Sequence, residues 1–390
     1  MKAQRTPSWK EATLREVVSL QRGHDLIETQ RRQGNVPVMS AAGRYGVHDT
    51  AVVTGPGVVV GRSGASIGQV HYCDVDFWAH NTALYVTSFH GNDPRFIYYF
   101  LQSLHLNRYN SGGAQPSLNR NFIYPLEVAL PEPEEQRAMA AALSDVDALI
   151  GALDNLIAKK RAIKLAAMHQ LLTGKTRLPG FGGDWSSAKL GELGQFSKGR
   201  GIKRDDVSDD GVRCIRYGEI YTRYDNYVTV LDSRILPKVA LTALPIKNGD
   251  LLFAGSGETA EEIGKCVAYV GEEEAYAGGD IVVLSPSEGN PVYLGHLMNH
   301  FDVAQQKSRF GQGDAVVHIS ARNLARVNVC LPRPEEQDAI ASVLLDLDAE
   351  ITALEQRRNK TKAIKQGMMQ ALLTGRVRLM KPERAGEETT

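Results

Sequence analysis

The residues in this chain whose types could do chemistry include a glycine-serine segment, histidines and cysteines, and their spacing decides what that chemistry is. Gly255-Ser256-Gly257 has the composition of part of a glycine-rich loop. Such a loop cradles phosphates when it leads from a strand into a helix whose amino end faces the anion. The flanking residues complete neither GxxxxGK[ST] nor a dinucleotide fingerprint with its acidic partner, so a simple turn is expected here. The ten histidines are scattered, and His80 beside Asn81 or His318 beside Ile319 has no second ligand at metal spacing. Cys73, Cys214, Cys266 and Cys330 are singletons without CxxC spacing, which points to a reducing cytoplasm and away from structural zinc. An Asn/Asp-Pro-Pro-aromatic tetrapeptide, which would hold a target amine for adenine methylation, is also missing. The chain is therefore expected to bind rather than to catalyse, with no cofactor and no metal of its own.

The elements that must carry such a binding function are set by a tandem duplication. Leu130 to Leu178 returns as Leu331 to Leu379, an offset of 201 (331 − 130), without a gap and with about half the positions identical. The first copy places Leu143, Val146, Ile150, Leu153 and Ile157, then Ile163 and Ala167, at the three-and-four spacing of a coiled-coil seam. The second has Leu344, Leu347, Ile351, Leu354, Ile364 and Met368. Pro133 or Pro334 opens each helix, followed by two glutamates facing the positive dipole end, and Thr173-Gly174 or Thr374-Gly375 closes it. At about 1.5 Å per residue each would be roughly 60 Å long. An apolar stripe of that length needs a partner, and antiparallel pairing of the two copies within one chain is the main expectation, ahead of pairing between chains. The basic runs Lys159-Lys160-Arg161 with Lys164, and Arg357-Arg358 with Lys360 and Lys362, are read as solvated flanks of the seam.

Around the helices the sequence is rich in glycine and in short β-branched or aromatic runs: 51–53, 58–60, 83–86, 250–253 and 280–284. Each globular part also offers one helix, Pro94 to Leu106 and Pro291 to Phe301. The two parts are distant copies, opening on Trp9 with Leu14 and on Trp185 with Leu190, and the second holds about 25 more residues. The fold expected is α+β, with two strand-rich domains, two long helices forming an antiparallel coiled coil, and internal pseudo-twofold symmetry. The boundaries are 1–129 for the first domain, 130–178 for the central repeat helix, 179–330 for the second domain, 331–379 for the distal repeat helix and 380–390 for a polar tail.

Composition limits the function. The sequence has neither an apolar run near 18 residues nor a secretory signal pattern, so no membrane partner is expected and the cytoplasm is the expected compartment. Lys plus Arg equal Asp plus Glu at 45 each, whereas a protein that grips phosphates alone is usually basic. The first globular part has 12 basic and 9 acidic residues, the second 16 and 20. Any grip on nucleic acid must then come from a local basic face or from partner subunits.

The motifs LPEPEEQ and LPRPEEQ, each leading into a seam helix that closes on QLLTGKTRL or ALLTGRVRL, resemble the specificity subunit of type I restriction-modification systems. The resemblance covers nearly the whole chain. It implies a non-catalytic subunit whose two target recognition domains each read one half of a split, asymmetric site in double-stranded DNA. It also implies helices that act as a ruler and dock two adenine methyltransferase subunits, to which restriction/translocase subunits can add, and a circular pseudo-symmetry joining the amino terminus to the end of the distal repeat.

Direct base readout calls for polar and charged side chains on loops thin enough to enter the major groove. In the first domain the candidates are Arg44, Tyr45, Arg62, Ser63, His80, Asn81, and the glycine-flanked Gln115, Ser117, Asn119 and Arg120. In the second they are Arg216, Tyr217, Glu219, Ser256, Glu258, Thr259, Arg309, Gln312, Asp314 and His318. Some of these arginines are candidates for phosphate rather than base contact. A structural adaptor that bridges two proteins without DNA is the alternative, and a fused nuclease or methyltransferase fragment is a third reading, which would require turnover by the subunit alone.

Overall fold

The computed structural model describes residues 9–112, 116–313 and 316–380. Two helices of 39 residues, Pro133–Leu171 and Pro334–Leu372, each run about 58 Å. Both end as the sequence implies. Gly174 and Gly375 take φ of 67° and 70°, the left-handed conformation that glycine adopts without a Cβ penalty. Gly174 N–H donates to the Leu171 carbonyl at 3.4 Å and Gly375 N–H to the Leu372 carbonyl at 3.0 Å, closing each last turn.

The chain divides into two compact units, one formed by residues 1–155 with 355–390 and the other by 156–354. Each unit therefore holds half of each long helix, and in each the halves run antiparallel. In unit 1, Asp147 pairs with Lys365 at 2.6 Å and Asp154 with Arg358 at 3.3 Å. In unit 2, Lys160 pairs with Glu350 at 2.7 Å and Lys164 with Asp348. Several residues of the basic runs thus face carboxylates on the opposite helix. Partly exposed pairs add little stability each; they fix register, while the apolar seam supplies the burial.

That seam differs from expectation at two places. Leu143, Leu153, Ile157, Leu344 and Ile351 are buried, but Ile163 and Ile364 are 42% and 50% exposed. Helix geometry gives the reason: six residues from Ile157 is 600°, which puts Ile163 about 120° off the stripe. The stripe passes instead through Lys164, which pairs with Asp348, and through buried Thr361, whose hydroxyl donates to the Arg357 carbonyl at 2.8 Å. Polar residues hold seam positions, and the apolar residues beside them face solvent.

Unit 1 has a four-stranded antiparallel sheet in the order Ser19–Arg22, Ala83–Ser88, Gly57–Gly61, Val70–Cys73. A second sheet joins Gly43–His48, Val36–Ser40 and Trp78–Ala79. The helix Pro94–Ser103 buries Phe96, Ile97, Phe100 and Leu101 against the first sheet, with Leu143 and Leu372 of the long helices and Leu373 just beyond in the same core. Such side chains contribute about 1.5–3 kcal/mol each on full burial. The Asp93 carboxylate caps the helix by accepting from Phe96 N–H at 2.8 Å.

Unit 2 repeats the plan with more chain. Gly194–Lys198, Ile281–Pro286, Leu251–Ala254 and Cys266–Tyr269 stand in the corresponding order, with Tyr227–Val228 added at the edge. The second sheet has five strands: Val207–Ser208, Arg234–Ile235, Val212–Ile215, Ala275–Ala277 and Leu244–Ile246. Four of these lie in 199–250, against two in the matching stretch 23–56 of unit 1, so much of the extra length enlarges this sheet. Two details depart from the sequence reading. The run 51–53 contributes only a bridge from Val53 to Phe77, and the helix Pro291–Asn299 is followed, after His300, by another at Phe301–Phe310.

The two units close on the long helices by the same device. In unit 2, Arg177 makes two hydrogen bonds of 2.5 Å to the buried Glu336 carboxylate and lies over the Trp185 ring. In unit 1, Arg378 does so with Glu135, at 2.6 Å twice, over the Trp9 ring. Trp9, Glu135 and Arg378, far apart in sequence, thus meet within one unit in the way that Trp185, Glu336 and Arg177 meet in the other.

Candidate nucleic-acid interface

In unit 1 the residue after the central strand reaches the segment ahead of the long helix. Arg62 follows Gly57–Gly61, and its carbonyl accepts from Leu118 N–H at 2.8 Å, while Ser63 bridges to Ser117. These contacts gather most of the first-domain candidates on one edge. Arg62 donates to the Asn81 carbonyl at 3.4 Å. The Asn81 amide donates to Asp25, and His80 Nδ1 lies 3.0 Å from the Thr82 hydroxyl. Asn119 caps the short helix Arg120–Ile123, accepting from Asn121 N–H at 2.9 Å, and Arg120 donates to the Leu20 carbonyl at 2.6 Å.

Two open clefts flank this edge. One, of about 670 Å³, is lined by Arg22, Asp25, Arg62, Ser117, Asn119 and Arg120. The other, of about 550 Å³, includes Arg31, Tyr45, Ser63 and His80. Tyr45 is 59% exposed, with the Arg31 guanidinium 4.6 Å from its ring centre, so an aromatic face with a cation over it stands at the mouth. Burial and the charge of Arg31 lower the His80 pKa, keeping that ring neutral. Arg44 is exposed beside Tyr45 on Gly43–His48. Gln115 lies outside the described residues.

Unit 2 builds the same edge with other side chains. The Gly255 carbonyl accepts from Ile319 N–H at 2.9 Å, and Ser256–Gly257 pairs with Val317–His318. Gly255-Ser256-Gly257 therefore leads into a short strand rather than a helix. Ser256 is buried, with its hydroxyl 2.9 Å from His318 Nδ1, while Glu258, Thr259, Arg309, Gln312 and His318 are exposed. Gln312 and His318 exchange two backbone hydrogen bonds of 3.0 and 2.8 Å. Arg309 donates to Gln305 at 3.2 Å. Asp314 lies outside the described residues.

Arg216, Tyr217 and Glu219 start the helix Tyr217–Thr222, whose Tyr221 hydroxyl fills the space beside Gly257. Tyr217 is exposed, but Glu219 is buried and committed internally: its carboxylate accepts from Arg216 N–H at 2.9 Å and from the Ser233 hydroxyl. The buried thiols sit apart from ionisation chemistry, since burial pushes Cys214 and Cys266 up to about 12.

Several contributors were not singled out from the sequence. Arg22, Asp25 and Arg31 reach the edge from a turn that pairs with 79–83 far along the chain. No local pattern marks them. The only local signal is Gly23, standing between Arg22 and the pair His24-Asp25. A Cβ there would stand 2.1 Å from the His80 carbonyl, so only glycine lets the backbones approach.

The model of the family described as "Type I restriction modification DNA specificity domain" matches residues 7–160 and 182–365. The chain belongs to this family. Both matches include one globular part with most of the helix that follows it, as a specificity subunit with two target recognition domains requires. Among the relatives is the type I restriction enzyme MjaVIII specificity subunit of Methanocaldococcus jannaschii, 24% identical over 308 residues, covering 74% of this chain and 71% of that one. The fold is similar to that of the type I restriction-modification S subunit from M. genitalium. Their identity is 17%, with 95% of this chain and 98% of that chain covered at a TM-score of 0.63. It is similar also to a chain solved in connection with complex assembly and conformational transition of the type I R-M system. That match has 15% identity, covers 95% and 99%, and has a TM-score of 0.58.

Proposed function

We propose that this chain is the non-catalytic reading subunit of a type I restriction-modification complex. Each unit reads one half of an asymmetric bipartite site in duplex DNA. The long helices dock two adenine methyltransferase subunits, and restriction/translocase subunits add to that assembly; the chain has no cofactor of its own and works in the cytoplasm. The observation that carries this reading is the pair of equivalent edges. The same backbone contacts, Arg62 to Leu118 in unit 1 and Gly255 to Ile319 in unit 2, present unlike side chains. A shared scaffold with different surfaces suits two half-sites of different sequence. With zero formal net charge, part of the grip on the duplex would come from partner subunits.

Co-expression with the cognate methyltransferase, followed by mapping of methylated adenines, tests it. One split, non-palindromic motif is expected. Methylation at no defined motif, with the partner still bound, would show that the chain assembles the complex without reading sequence.

A further inference from the structure

We infer that the cleft of unit 1 formed by Arg22, Arg62 and Arg120 is a clamp for a backbone phosphate of duplex DNA, and that unit 2 lacks an equivalent. This rests on the reading of the chain as a DNA-binding subunit and adds that its two heads grip unequally.

The cleft brings three guanidiniums and one carboxylate to a common space. The carboxylate, Asp25, is engaged already, with Arg22 at 3.5 Å and with the Asn81 amide. Arg62 and Arg120 each give one donor to a backbone carbonyl, Asn81 at 3.4 Å and Leu20 at 2.6 Å. A guanidinium has five N–H donors in a fixed fork, so both arginines are anchored and retain donors for a ligand. Guanine presents only two acceptors to the major groove. With Asp25 offset by Arg22 the cleft still keeps the charge of two guanidiniums and the donors of three, more than one base edge uses, whereas a phosphate carries the charge and takes bidentate arginine contacts.

The same positions in unit 2 are known from the backbone contacts. Gly255 stands where unit 1 has Arg62, because each carbonyl accepts from the residue that opens the matching segment, Ile319 or Leu118. Ala321 stands where unit 1 has Arg120, one position into the matching short helix. Only Arg22 has a cationic counterpart, Lys198, which pairs with Val282 as Arg22 pairs with Leu84. A side chain at Gly255 would begin 2.9 Å from the Asp280 carbonyl, so the backbone there disfavours an arginine. The first globular part also carries the excess of basic residues and the second the excess of acidic ones.

The test uses the full subunit assembled with its methyltransferase, and the duplex carrying the mapped motif beside an unrelated duplex of equal length. Arg62→Ala should lower the slope of log K against log salt by about 1, weaken both duplexes by the same factor, and leave the methylated motif unchanged. Arg22→Ala, at an exposed strand end, should act likewise if Arg62→Ala unfolds on a thermal melt, and Arg62→Lys should retain most of the slope. Lys238→Ala, which removes one exposed charge from unit 2, sets the background for nonspecific charge loss and should lower the slope by much less. An unchanged slope with a motif relaxed at one position would make Arg62 a base reader and overturn the clamp. An unchanged slope and motif in both arginine variants would overturn it too. Failure of the assembled wild-type complex to bind either duplex would instead remove the DNA reading beneath it.

Discussion

Lys307 is 1% exposed in the helix Phe301–Phe310 of unit 2, and its ammonium donates to the Gly264 carbonyl at 2.5 Å. Burial away from water disfavours the charged form and pushes its pKa from 10.5 down to about 8, with only a minor opposing influence from Cys266. Because the folded value lies below the unfolded one, the unfolded chain binds more protons between pH 8 and 10.5. Stability therefore rises with pH through that window, and the penalty is fully present below pH 8. At 1.36 kcal/mol per pH unit, the shift corresponds to about 3 kcal/mol, of which about 2 kcal/mol is relieved between pH 7 and 9.5. Lys307→Met keeps the shape and removes the titration. Urea unfolding followed by Trp185 fluorescence, with Trp9 and Trp78 replaced by Phe, reports unit 2. The wild type should gain about 2 kcal/mol on Lys307→Met between pH 7 and 9.5. A difference that stays constant across that range would refute the buried-amine argument. The result bears on the candidate interface, because Gly264 ends the loop that carries Ser256, Glu258 and Thr259.

Two further predictions concern the scaffold. His296 is fully buried, neither ring nitrogen has a hydrogen-bond partner among the described residues, and burial holds its pKa down at about 3. The wild type should therefore lose more stability than His296→Leu as pH falls from 6.5 toward 3, since the carboxylates titrate alike in both, a comparison open to acid titration by circular dichroism. Arg378→Met leaves the buried Glu135 carboxylate without its bidentate partner and should destabilise unit 1 by about 3 kcal/mol. Adding Glu135→Leu should recover much of that in a thermal melt, and no recovery would place the damage in the Trp9 stacking instead.

The sequence revealed most where a pattern repeats. Helix starts at Pro133 and Pro334 and glycine stops at 174 and 375 are local signals, and they mark the ends well. The middle of the seam was less legible, because Lys164 and Thr361 occupy core-facing positions with polar side chains and the eye moves to Ile163 and Ile364 instead. The helix Phe301–Phe310 is hidden in the sequence for a related reason: its buried face includes Lys307. Convergence at the interface depends on pairings between distant segments, such as Ser63 with Ser117 or His24 with His80. No spacing rule within either segment predicts such partners.

The division of the chain also bears on the order in which it folds. Unit 2 is one uninterrupted stretch, 156–354, available as soon as it leaves the ribosome. Unit 1 is discontinuous: the core of its amino-terminal segment is completed by Leu372 and Leu373, and its Trp9 is covered by Arg378. That amino-terminal segment must therefore wait, with apolar surface uncovered, until residues 372–378 have been made. A premature stop shortly before residue 372 would for the same reason damage unit 1 more than unit 2, and a quality-control protease would meet the fault in the segment before residue 155.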